Sequence, residues 1–77
     1  MGKAGQALRK VLETYNISQN RLAVTMDTGR SNVHRWINEI RDPTAESLLE
    51  IRDALEKINP SAARDFINWY LGKQPEE

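Results

Sequence analysis

The sequence predicts an all-α fold, a compact five-helix bundle, on three observations. Apolar residues recur at spacings of three and four in five separate segments, the period of a helix with one face on a core. Each segment is bounded by residue types that cap or stop helices. No segment alternates apolar and polar residues as a half-buried strand does. With 77 residues and no cysteine, the chain is expected to form a single domain, 1–77, whose small core no disulfide or thiolate metal site braces.

The first helix is expected over 4–15. Ala4, Leu8, Val11, Leu12 and Tyr15 fall on one narrow arc, and Arg9, Lys10 and Glu13 point away from it. Asn16 suits a left-handed stop. Ser18 is a good N-cap for a second helix over about 18–26, with Ile17 before it and Leu22 four residues after it placed as a hydrophobic staple. Leu22, Ala23 and Met26 make that helix's stripe, and Asp27-Thr28-Gly29 breaks the pattern. The third helix, about 30–39, starts from Gly29 as a permissive N-cap and turns Val33, Trp36 and Ile37 inward.

Arg41-Asp42-Pro43 reads as a loop, because Pro43 cannot extend the helix before it, and Thr44 can cap the next one. Helix four, about 45–58, places Ala45, Leu48, Leu49, Ile51, Leu55 and Ile58 on one side. Asn59-Pro60 is a restart, with Asn as N-cap and Pro at the first helical position. Helix five runs over about 60–71 and stops at Gly72; residues 73–77 read as a flexible polar tail.

Composition narrows the function classes. Net charge is zero, yet residues 1–41 carry seven Lys/Arg against three Asp/Glu, and residues 42–77 carry four against eight. A basic half opposite an acidic half suits a module with one anion-facing side. There is no run of about 18 apolar residues and no signal-peptide core at the N-terminus, so a cytoplasmic protein without membrane attachment is expected. His34 is the single histidine, with no cysteine and no ligand-like carboxylate pattern beside it, so neither a metal site nor a general base is expected. Glycine-rich phosphate loops and nucleophile motifs are missing too, and the chain is not expected to be an enzyme or to carry a cofactor.

The informative stretch is 18–38. On the third helix, the face opposite the apolar stripe carries Arg30, Ser31, His34, Arg35 and Asn38. These are hydrogen-bond donors of the kind that suit base edges and phosphates in a DNA groove.

Its ordered residues resemble a known family. Ser18-Gln19-x-x-Leu22-Ala23, then Ser31-x-Val33-x-Arg35-Trp36, then Arg41-x-Pro43, is similar to the motif of the lambda repressor/Cro-type helix-turn-helix family of bacterial and phage transcriptional regulators. Thr44-Ala-Glu-Ser-Leu-Leu-Glu-Ile resembles that family's fourth helix. The likeness spans about residues 5–58. It implies a compact five-helix bundle of the lambda repressor-like DNA-binding type, with residues 30–38 as the recognition helix in the major groove. It further implies that Gln19 braces that helix and touches a phosphate or base edge, that Arg30, Ser31 and Arg35 fall at base-contacting positions, and that Ser18, Asn38 and Arg41 fall at backbone-contacting ones. His34, on the same face, joins the expected base contacts.

Three positions depart from the family's pattern. Asp27 stands for the usual turn glycine and Gly29 for the usual Ser or Thr cap. Position 37, often Glu in the family and paired with an Arg at the place of Leu12, is Ile here. Replacing both members of a buried ion pair by apolar residues is tolerated, so Leu12 and Ile37 are expected to touch.

Helix five adds an expectation of its own. Ala62, Ala63, Phe66, Ile67, Trp69, Tyr70 and Leu71 span an arc of about 200°, where one core needs little more than about 100°. A second contact surface, a homodimer interface through Phe66, Trp69 and Tyr70, accounts for the excess. The expected function is therefore a sequence-specific regulator that binds a palindromic operator in double-stranded DNA as a dimer. The alternative is an antitoxin or adaptor that engages a protein partner through helices four and five.

Overall fold

A computed structural model describes residues 3–72, and the expected tail over 73–77 lies outside them. Five helices follow in order: α1 (Lys3–Thr14), α2 (Gln19–Met26), α3 (Arg30–Ile37), α4 (Ala45–Ile58) and α5 (Pro60–Tyr70). No strand occurs among the described residues.

The starts follow from the caps. Ser18 Oγ accepts from the Arg21 amide at 3.0 Å, and Thr44 Oγ1 accepts from the Ser47 amide at 3.1 Å. Asn59 Oδ1 accepts from the Ser61 amide at 3.0 Å, with Pro60 at the first position of α5. Each bond satisfies one amide that has no partner inside its helix.

The first three helices end alike. Asn16, Asp27 and Glu39 adopt left-handed backbone, with φ of 55°, 59° and 59°. Behind each, the next amide reaches back five residues: Ile17 to the Leu12 carbonyl at 2.9 Å, Thr28 to Ala23 at 3.0 Å, Ile40 to Arg35 at 2.9 Å. This is the Schellman arrangement, and it takes up carbonyls that the helix ends would leave free. Asn16 meets expectation, and Asp27 makes a left-handed turn where the family's pattern has glycine. Glu39 does not, and its left-handed turn stops α3 at Ile37, where periodicity had carried it to 39.

Every helix sends at least one fully buried side chain inward: Leu8 and Val11, Leu22, Val33, Ile51 and Leu55, and Phe66. α5 packs on α1 and α4, α2 packs on α3 and α4, and α3 is held by α1 and α2. Leu12 and Ile37 both lie in this core, 5% exposed each, and border the same recess. α4 is narrower than its pattern implied. Leu49 is 54% exposed and Ala45 is also exposed, because only Ile51, Ala54 and Leu55 are buried on that helix.

Phe66 requires a correction. It is fully buried among the chain's own helices, so it offers nothing to a second subunit. The wide arc of α5 is largely absorbed by α1 on one side and α4 on the other. Trp69 and Tyr70 stay half-buried, and Leu71 is 59% exposed.

Candidate nucleic-acid interface

The candidate surface begins with the polarity of α3. Val33, Trp36 and Ile37 anchor one side in the core. Arg30, Ser31, His34, Arg35 and Asn38 are all exposed. At about 100° per residue these five positions span about 140°. No carboxylate interrupts the arc, and each of the five side chains can donate to an anion.

Arg30 is the most telling of them. It occupies the first turn of α3, which holds no acidic residue, so its charge sits at the positive end of the helix dipole. That placement costs a few tenths of a kcal/mol compared with an acidic residue there. Gly29 gives α3 no side-chain cap. The start of this helix is therefore built less for its own stability than α2, α4 or α5. Local rules of this kind are broken mainly where a site needs the residue.

The α2–α3 turn is held by its own bonds. The Asn32 side-chain amide donates to Thr28 Oγ1 at 3.0 Å, and the Thr28 amide donates to the Ala23 carbonyl at 3.0 Å. This turn carries the N-terminus of α2 alongside the outer face of α3. Ser18, Gln19 and Asn20 border one recess together with Arg30, Ser31 and His34. An adjoining recess shares Ser18, Gln19 and His34 and runs on to Ile37, Asn38 and Arg9. The two recesses share three lining residues and form a furrow, with Arg30 on the first recess and Arg9 on the second.

Six of the eight expected contact residues line that furrow: Gln19, Arg30, Ser31, His34, Ser18 and Asn38. Arg35 and Arg41 do not. Arg35 lies on the opposite flank of α3. Arg41 is exposed in the following loop, where its amide approaches the Arg35 carbonyl at 3.4 Å. Two of the six are partly engaged. Ser18 Oγ is taken up as a cap acceptor, leaving its O–H to donate. Asn38 folds back on α3, its side-chain amide donating to the His34 carbonyl at 2.8 Å and lying 3.2 Å from the His34 imidazole Nδ1.

Three residues that position the surface escaped the sequence. Gly5 faces the C-terminal end of α3 so closely that a Cβ there would overlap the Trp36 carbonyl oxygen. A glycine inside a helix costs about 1 kcal/mol relative to alanine, and that cost was the available signal of a close approach. Glu39 makes the left-handed stop and accepts a long bond from the Gln6 side-chain amide at 3.4 Å. Arg9 donates from Nη2 to the Ile37 carbonyl at 3.2 Å, and nothing in the periodicity marks that reach.

On the far side, α5 is fastened to α1 through side chains. Tyr15 donates its hydroxyl to Asp65 Oδ2 at 2.5 Å. That bond pushes the Tyr15 hydroxyl above its usual pKa, and burial and the Asp65 charge add in the same direction. Lys10 Nζ sits 4.7 Å from the centre of the Trp69 ring, a cation–π contact.

Among the described residues no cluster of His, Asp or Glu could hold a metal ion. No helix among them is long and apolar enough to cross a membrane. A family model described as Helix-turn-helix matches residues 8–61. Comparisons with curated proteins and with solved structures returned no match.

Proposed function

The chain belongs to the helix-turn-helix family of the lambda repressor/Cro type, whose members are DNA-binding regulatory domains, and from that premise we propose that it reads a specific duplex sequence with α3 in the major groove. One observation carries the proposal. The outer face of α3 presents five donors and no carboxylate, and it adjoins the N-terminus of α2 in a single furrow. Arg30 and Arg35 are the base readers, since a guanidinium forks onto guanine O6 and N7. Ser31, His34 and Gln19 supplement them. Ser18, Asn38 and Arg41 hold the backbone.

Sequence selection from a random duplex pool, followed by titration of the selected site, tests this. Wild-type affinity for random duplex should fall steeply with salt. Arg30→Ala and Arg35→Ala should each lose about 1–3 kcal/mol on the selected site and less on random duplex. An equal loss on every sequence would reduce these arginines to phosphate contacts. A flat salt response would remove the DNA reading itself.

The same reading includes a homodimer on a palindromic operator, with recognition helices about 34 Å apart. Exposed Leu71, just after α5, and half-buried Trp69 and Tyr70 beside it support this reading. Solution mass of the wild type and of Leu71→Asp decides it. A wild-type monomer at high micromolar concentration ends the dimer.

A protein partner is favoured by α4, where exposed Leu49 stands beside exposed Glu46 and Glu50, with Asp53 already paired to Arg52. That face suits a basic protein of the toxin kind. A basic reading frame of toxin size beside the gene, whose product is retained by the wild type and released by Leu49→Asp, would establish it.

A further inference from the structure

We propose that Arg9 is a phosphate contact that clamps the duplex backbone while holding the C-terminal end of the recognition helix. The inference rests on α3 being the DNA-reading helix and adds to it a residue from α1. Arg9 is exposed, yet its Nη2 donates to the Ile37 carbonyl at 3.2 Å, 28 positions along the chain. Ile37 is the last residue of α3, so the guanidinium lies at the negative end of that helix dipole. One of its five N–H groups is used there, and four remain.

The Arg9 side chain that carries them borders the furrow. Arg9 borders the recess that also contains Ser18, Gln19, His34 and Asn38, four residues assigned to DNA on other grounds. Arg30 borders the neighbouring recess, which shares Ser18, Gln19 and His34 with this one. A backbone lying across the two recesses therefore meets one guanidinium in each. Glu13, one turn along α1, is the one carboxylate on the recess around Arg9. Among the described residues no ion pair joins it to Arg9, so the guanidinium charge is left for an anion. The bond to Ile37 adds a second consequence. It restrains a long side chain before DNA arrives, so less rotamer freedom is lost on binding.

A purely structural role predicts something different, and Arg9→Gln separates the two. Glutamine removes the charge, and because its amide nitrogen ends two bonds short of Nη2, the melts report what the bond to Ile37 contributes. Binding of wild type, Arg9→Gln and Arg9→Lys to random and selected duplexes is measured over a salt series, with thermal melts of each protein alongside. For a phosphate contact, Arg9→Gln lowers the slope of log K against log salt by about one and weakens all sequences by the same factor. Arg9→Lys keeps the slope. An Arg9→Gln slope equal to that of a steeply salt-dependent wild type overturns the proposal and leaves Arg9 as a brace for α3. A wild type whose binding ignores salt overturns the DNA reading, and Arg9 with it.

Discussion

α1 touches the rest of the molecule at two junctions, and they are built in opposite ways. Toward α3 the contacts of α1 reach the main chain of its last turn. Gly5 leaves no room for a Cβ against the Trp36 carbonyl, and Arg9 bonds directly to the Ile37 carbonyl. Toward α5 the approach is between side chains: Phe66 in the core, Tyr15 on Asp65, Lys10 over Trp69. The Gly5 approach sets the position of α3 closely, because no side chain lies between the two backbones at that point to absorb an error. Side-chain contact secures the covering helix through volume and hydrogen bonds, each of which can be trimmed with a graded loss.

The largest way to break this contrast is on the α5 side. Phe66→Ala should cost about 3–5 kcal/mol, from lost burial plus the cavity left behind. That is a large share of the stability of a domain this small, about 5–15 kcal/mol in general. Urea denaturation measures it. Under conditions where the variant remains folded, its DNA affinity should match the wild type, since α3 is located by the other junction.

Gly5→Ala should come next, costing about 1–3 kcal/mol by overpacking. Unlike Phe66→Ala, it should weaken DNA binding in the folded protein as well, because the new methyl can be accommodated only by moving α1 away from α3. Denaturation and DNA titration of one sample test both halves. Wild-type affinity in the Gly5→Ala protein would show that the α1–α3 distance does not position the reading face.

Tyr15→Phe should cost about 1 kcal/mol, the net worth of one hydrogen bond, and should carry a pH signature. The folded-state pKa of Tyr15 is raised, so the folded protein holds that proton more tightly than the unfolded chain. The stabilisation is fully present below the ordinary tyrosine pKa of about 10 and is lost as pH rises through the raised value. Denaturation from about pH 8 to 11 should therefore show a steeper alkaline fall for the wild type than for Tyr15→Phe. Parallel curves would mean that the Asp65 bond contributes nothing that titrates.

The smallest effect concerns α3 alone. Gly29→Ser should stabilise by a few tenths of a kcal/mol. The backbone there is extended at φ −74°, and the nearest atom to a new Cβ is Ser31 Oγ at 3.6 Å. A melting temperature that rises without a change in the α1 contacts would separate the helix's own stability from its placement.

Much of this architecture is written locally in the chain. Ser18, Thr44 and Asn59-Pro60 cap the helices expected of them, and Asn16 and Asp27 take the left-handed stops. Those outcomes depend on a side chain and an amide two or three residues apart, or on the backbone preference of one residue. The donor face of α3 was legible for the same reason, since five polar positions repeat with the helical period opposite Val33, Trp36 and Ile37.

What only the tertiary structure decided lies where residues far apart in sequence meet. Phe66 went into the core and Trp69 stayed half-buried, although both lie on the apolar arc of α5. Leu49 was left outside although it shares the pattern of α4. Periodicity states which face of a helix is apolar. It does not state how many neighbours cover that face, nor where their axes cross. Gly5 against Trp36, Arg9 against Ile37 and Tyr15 against Asp65 are consequences of those crossings, joining residues roughly thirty to fifty positions apart. Local chemistry thus determined the helices and the donor surface, while helix packing decided which charges frame that surface and how firmly it is held.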